Sequence, residues 1–201
     1  TPNGVKVSIM LEEIGLPYEP HFIDITKNET WGPEYLSLNP NGKIPAILDP
    51  DGPGGKPLAL FESGAILHYL AQRSGRLLPA SEQERTDVLA WAFFQAAHVG
   101  PTLGQLWNYK IFAPEKIAYV IDRFERESAR VFRVLDGELG KRAHIAGEAY
   151  GIADVMTWPW IHAAVEKLGL TLDALPNLAR WYDAIHGRPA VQRGLKVPGP
   201  A

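Results

Sequence analysis

The chain reads Asn39-Pro40-Asn41-Gly42-Lys43-Ile44-Pro45-Ala46-Ile47-Leu48, then a Gly- and Pro-rich turn from Asp49 to Pro57, then Leu58-Ala59-Leu60-Phe61-Glu62-Ser63-Gly64-Ala65-Ile66-Leu67-His68-Tyr69-Leu70. Ile44 to Leu48 is a short apolar strand, and Leu58 to Phe61 is the strand returning from the turn. Ser63 is placed as the cap of a helix whose apolar face is Ile66, Leu67, Tyr69 and Leu70 and whose end is Gly75. The result is a strand–turn–strand–helix unit with polar residues at two corners: Asn41-Gly42-Lys43 before one strand, Glu62-Ser63 before the helix.

Upstream, Thr1-Pro2-Asn3-Gly4 precedes a helical pattern from Val5 to Glu13, closed by Gly15 and Pro17. Tyr18 to Ile25 alternates apolar and polar residues and predicts a strand, and Pro33 to Leu36 predicts a short helix with Pro in its first turn. Downstream the punctuation changes. Glu84 to about Gln95 is helical, and Gly100-Pro101 is expected to bend or break that helix. Ile117, Val120, Phe124, Val131, Leu135 and Leu139 recur at helical steps. Ile152 to Leu168 and Pro176 to Ile185 are further helices, and Arg188-Pro189 opens a last turn. An α/β domain over 1–75, a linker over 76–83 and an all-helical domain over 84–201 follow from this pattern.

Composition narrows the chemistry. The chain has 201 residues and no cysteine, which excludes disulfide staples, Cys-ligated metals and any Cys nucleophile or redox pair, and fits a reducing, cytoplasmic compartment. A net charge of −3 gives no reason to expect nucleic acid or an acidic membrane as partner. No apolar run approaches the roughly 18 residues of a membrane helix. None of the six His pairs with another at helical spacing, so no metal site is expected. A G-x-S-x-G elbow, a phosphate loop and G-x-G-x-x-G are absent. Most Trp residues are expected in the core; Trp107 and Tyr109 are better site candidates because they follow the Gly100-Pro101 break.

Three corners remain: Thr1 to Gly4 ahead of a helix, Asn41 to Pro45 ahead of a strand, and Glu62-Ser63 at a helix start. Each offers backbone N–H groups and small polar side chains suited to an anionic, peptide-like ligand. A residue before Pro is held extended, so Ile44 can offer its N–H and C=O to a ligand as an added strand would. Ser63, backed by a helix dipole, suits a carboxylate. Singly each reads as a cap or turn; together they point to one site.

In this order of elements, Asn39 to Ile47, Phe61 to Leu70 and Gly151-Ile152-Ala153-Asp154 make the chain resemble a cytosolic glutathione transferase over its whole length. Thr1 to Val7, Leu11-Glu12-Glu13, Gly104-Gln105 and Trp158-Pro159-Trp160 are similar to the bacterial Nu class, the glutathione-dependent disulfide-bond reductase group. The resemblance implies a thioredoxin-like first domain whose first strand lies ahead of Thr1, so roughly eight to ten further residues are expected there. It implies a homodimer and glutathione as cofactor. It implies that Pro45 is a cis-proline, with Ile44 pairing to the cysteinyl backbone. Glu62 then holds the γ-glutamyl ammonium, Ser63 its carboxylate and Lys43 the glycyl carboxylate, while Thr1 and Asn3 face the thiol. Arg123 matches a basic residue that reaches the ligand in this class, against the alternative of a surface Arg between Asp122 and Glu125. Thr30 stands where the class often has a glutamine contact, and Gly151 where the family usually has Ser or Thr.

Without a protein thiol, disulfide reduction must run on glutathione: one thiolate attacks the substrate disulfide and a second resolves the mixed disulfide. The alternatives are conjugation to a hydrophobic electrophile, with Trp107, Tyr109 and Phe112 lining the acceptor pocket, or a non-catalytic binding module.

Overall fold

The computed structural model describes residues 1–198. The chain divides into two compact units, Thr1–Gly75 together with the segment from Pro189, and Arg76–Arg188. The second domain was expected to run to the C-terminus; its last helix instead belongs with the first unit.

In the first unit, helix α1 (Pro2–Ile14) starts on Thr1, whose Oγ1 accepts from the Gly4 N–H at 3.3 Å, and stops at Gly15 in the left-handed conformation. Short 3₁₀ turns at Ile25–Lys27 and Glu29–Trp31 lead into α2 (Pro33–Leu38). Strands β1 (Ala46–Asp49) and β2 (Leu58–Phe61) pair antiparallel with Ala46 opposite Phe61, and α3 (Ser63–Ser74) follows. The expected strand at Tyr18 to Ile25 is absent. Its alternation marks a two-faced segment, but a strand also needs a ladder partner, and the sheet among the described residues is β1–β2 alone. Helix α9 (Pro189–Gly194) lies on α1 so closely that a Cβ on Gly194 would stand 2.8 Å from the Ile9 backbone, and Ser8 Oγ donates to the Gly194 carbonyl at 2.8 Å. Periodicity along α9 cannot show that contact, which is why the boundary was misplaced. Ile9, Met10, Ile66, Leu67 and Val191 form this unit's core.

The second unit is helical: α4 (Glu82–Phe94), α5 (Gly100–Trp107), α6 (Ala118–Leu139), α7 (Ile152–Leu168) and α8 (Pro176–His186). Gly100-Pro101 does not break the helix. A π turn over Gln95–Val99 joins α4 to α5, with the Gly100 N–H bonded to the Gln95 carbonyl. The wider turn accommodates a Pro whose ring would otherwise press on the preceding turn and whose missing N–H would leave a gap. The two glycines have a packing role: the Trp160 ring reaches within 3.3 Å of where a Gly104 Cβ would stand, and its Nε1 within 3.5 Å of one on Gly100. Trp158, Trp160 and Trp181 are buried, as expected, around α7. Among the described residues no helix is long and apolar enough to cross a membrane.

Candidate glutathione site

The three polar corners read from the sequence converge in the first unit. Asn3, Asn39, Asn41, Lys43, Ile44, Pro45, Glu62 and Ser63 line one cleft of about 70 Å³. A volume this small does not enclose a peptide; it is a groove across which one would lie.

The Asn39–Pro45 corner is held by its own hydrogen bonds. Asn39 accepts from the Asn41 N–H through Oδ1 (2.9 Å) and from the Gly42 N–H through its carbonyl (3.0 Å), and its Nδ2 donates to the Lys43 carbonyl. Tyr35 OH donates to the same carbonyl at 2.9 Å. Gly42 has φ +61°, and a Cβ there would stand 3.2 Å from the Trp31 ring. Gly42→Ala is therefore expected to cost about 1–2 kcal/mol of stability, measurable by urea denaturation, and to weaken ligand binding several-fold by shifting this corner. The Ile44–Pro45 bond is cis, as the resemblance implies. Among the described residues no backbone group takes the Ile44 N–H or C=O, so both stay open for an added strand.

The second corner is a bend between β2 and α3. Glu62 sits at φ 66°, ψ 113°, a conformation side chains rarely adopt, and its carbonyl accepts from the Ile66 N–H at 2.9 Å. The helix cap is thus Glu62, and Ser63, expected as the cap, is the first helical residue. That shift opens the first N–H groups of α3, with the Ser63 side chain, to an anion at the cleft. Strain of this kind persists where surrounding structure enforces it, and it clusters at ligand sites.

The third corner is the start of α1. Asn3 lines the cleft; Thr1 is the helix cap outside its lining. Because Thr1 Oγ1 accepts from Gly4, its own hydrogen remains available as a donor.

Sequence reading passed over Lys6. It is 2% exposed, and its Nζ lies 3.2 Å from Ser63 Oγ. Burial brings its ammonium down to about 7, with the Glu62 carboxylate pulling the other way. The signal was there: Lys6 is one turn before Met10 and two before Ile14, on the buried face of α1. Thr30 is buried and outside the cleft lining. Tyr18 is tied to Glu12 at 2.9 Å and its phenol is pushed up to about 12, mainly by burial, so it is no thiol activator.

The remaining candidates lie on the helical unit. Trp107 and Phe112 stack at 6.3 Å and Tyr109 on Phe124 at 6.2 Å, with Phe112 70% exposed. Arg123 stands exposed on α6 beside Arg126, Glu127, Arg130 and Arg133, around a surface depression of about 440 Å³.

Residues 2–73 match the family model for the glutathione S-transferase N-terminal domain, and residues 118–184 match the one for its C-terminal domain. This chain belongs to the glutathione S-transferase family. Disulfide-bond oxidoreductase YfcG of Escherichia coli K12 is 41% identical over 97% of the chain and 91% of its own length. A Burkholderia graminis glutathione transferase, solved with two glutathione molecules bound per subunit, superposes with a TM-score of 0.97 at 46% identity, over 100% of this chain and 86% of that one. A Pseudomonas putida glutathione transferase, solved with one glutathione disulfide per subunit, gives 0.95 at 47% identity, over 99% and 89%. The small sheet with its helices is the thioredoxin-like half of a glutathione S-transferase, and the helical unit is its C-terminal half.

Proposed function

We propose that this glutathione S-transferase reduces small disulfides with glutathione as the thiol donor. The observation that carries this reading is a cleft built for a peptide in a chain with no cysteine: any exchanging sulfur must come from the ligand. Glutathione fits with its γ-glutamyl carboxylate on Ser63 and the α3 N–H groups, its ammonium on Glu62, its cysteinyl backbone along Ile44 and its glycyl carboxylate toward Lys43. That leaves the thiol toward Asn3 and the α1 N-terminus, with Thr1 as a second donor.

The chemistry balances with two glutathiones. The first thiolate attacks one sulfur of R–S–S–R, forming G–S–S–R and expelling RS⁻, which takes a proton. The second thiolate attacks the glutathione sulfur of G–S–S–R, giving G–S–S–G and a second RS⁻. Relatives solved with two glutathiones, or with glutathione disulfide, bound support this sequence. Membership of the Nu class, a homodimeric assembly and a cytoplasmic location belong to the same proposal. Arg123 is assigned to the ligand on the class resemblance, and Thr30 has no assigned contact.

Conjugation to an electrophile is the second reading, favoured by the aromatic surface at Trp107, Tyr109 and Phe112. Rates with a small disulfide and with an aryl halide, at equal glutathione, separate the two. The disulfide is expected to turn over at least tenfold faster by kcat/KM; the reverse order would overturn the reductase reading.

A further inference from the structure

Lys6 lies behind the cleft on α1, and its bond to Ser63 has a fixed direction while it is charged. An ammonium has three donors and no acceptor, whereas a Ser hydroxyl both donates and accepts. Lys6 therefore donates to Ser63 Oγ across 3.2 Å, and the Ser63 hydrogen must turn elsewhere. Ser63 lines the cleft, so the cleft is where that hydrogen can point. We propose that Lys6 is a positioning residue for glutathione binding: acting through Ser63, it makes that hydroxyl a donor to the γ-glutamyl carboxylate. This rests on placing that carboxylate at Ser63.

Loss of the Lys6 proton reverses the arrangement. A neutral amine can accept the Ser63 hydrogen, which withdraws the donor from the ligand. Burial brings the ammonium down to about 7, so this reversal falls in the neutral range. The elements packed on α1 are α3 and α9. The bend before α3 brings Glu62, whose carboxylate favours the charged Lys6. On α3, Arg73 is paired with Asp49 and Asp51, and His68 is half-buried. On α9, Arg193 is paired with Glu12 of α1, and Lys196 follows that helix; α1 also carries the buried Glu13, and Lys43 lines the cleft. His68 is the one histidine among these groups, and a His68→Gln substitution serves as its control.

The ligand-competent form is protonated, so raising pH through 7 must weaken binding, and binding at pH 8 must take up a proton. S-methylglutathione isolates this effect because it has no titrating thiol. Calorimetry on the wild-type protein is expected to show affinity falling about tenfold from pH 6 to pH 8, the size of one charge-assisted hydrogen bond. Ser63→Ala should flatten the profile, while the His68→Gln control should keep it. Lys6→Met should raise the KM for glutathione about tenfold with kcat on a small disulfide little changed, and should add almost nothing in a Ser63→Ala background.

A flat wild-type profile, a profile that survives Ser63→Ala, one lost in His68→Gln, or additive effects of the two substitutions would each overturn the proposal. The wild-type profile decides even if Lys6→Met fails to fold. A glutathione analogue lacking the γ-glutamyl carboxylate separates the underlying assignment. If it binds the wild-type protein as tightly as glutathione, the carboxylate is not at Ser63, and the proposal falls with that placement. If it binds at least tenfold more weakly while the pH profile is flat, the placement stands and the role of Lys6 alone fails.

Discussion

Asn3→Ala is expected to lower kcat/KM for disulfide reduction by roughly 10- to 100-fold, mostly in kcat. Glutathione's thiol titrates near the free-cysteine value of about 8.5, so little of it is thiolate at neutral pH. Lowering that value by two units takes about 2.7 kcal/mol of preference for the charged sulfur. In the proposed placement the start of α1 would supply it from the Asn3 side-chain amide, the Thr1 hydroxyl and the positive end of the helix dipole. A hydrogen bond to a charged group contributes about 1.5–3 kcal/mol, which converts to the stated loss. Thr1→Ala is expected to be milder on the chemistry and to cost about 1 kcal/mol of helix stability, because Thr1 is also the cap of α1. Steady-state kinetics of glutathione disulfide formation, read beside thermal melts, separates the two effects. Wild-type rates in Asn3→Ala would mean that the thiol lies elsewhere.

The largest expected loss of stability lies in the helical unit, at Asp154. It is 1% exposed, and it accepts through Oδ1 from the Ile145 N–H at 3.0 Å and from Trp181 Nε1 at 2.7 Å, and through Oδ2 from the Gly151 N–H at 3.0 Å. Burial pushes its carboxyl up, against the pull of these three donors. Truncation to Ala would leave the buried Ile145 N–H and Trp181 Nε1 and the part-buried Gly151 N–H without an acceptor, at about 1–3 kcal/mol for each buried one. These costs are not additive, and the expected loss is about 3–5 kcal/mol, a large part of the 5–15 kcal/mol that holds a typical protein folded. Asp154→Asn should be nearly as damaging, because its NH₂ would face a donor. Denaturant unfolding followed by tryptophan fluorescence measures both. Gly151 belongs to the same corner: the Leu77 carbonyl stands 3.0 Å from where its Cβ would be, a crowding that only the folded structure reveals. A Ser there would gain a capping hydroxyl while meeting that oxygen.

The parts of the fold written in turn chemistry were legible. Asn39 to Pro45, Glu62-Ser63 and Gly75 each carry a local conformational demand, and the structure places them as read, to within one residue at the α3 cap. Long helices were legible from period alone; α6 and α7 differ from expectation by at most a residue. Contacts between segments distant in sequence were not. The seating of α9 on α1 depends on Gly194 meeting Ile9, 185 positions away. The helix through Gly100-Pro101 depends on a π turn, which has no local signature beyond the Pro it accommodates. A lone charge on a helix ordinarily faces water, so the place of Lys6 one turn before the buried Met10 is a weak signal on its own, and its contact with Ser63 is what shows its role. The converging corners of the cleft were found because three anion-suited loops in one small domain are unlikely company unless one ligand joins them.

We propose that α1 and its Asn3 ionise the sulfur of bound glutathione, taking the place of the thiol this chain lacks. Thiolate absorbance of glutathione on the saturated protein, followed by difference spectroscopy from pH 5 to 9, tests it directly. Half-ionisation of the bound thiol is expected about two units below the free value of about 8.5, returning toward that value in Asn3→Ala. Bound glutathione that titrates as it does in water would contradict it.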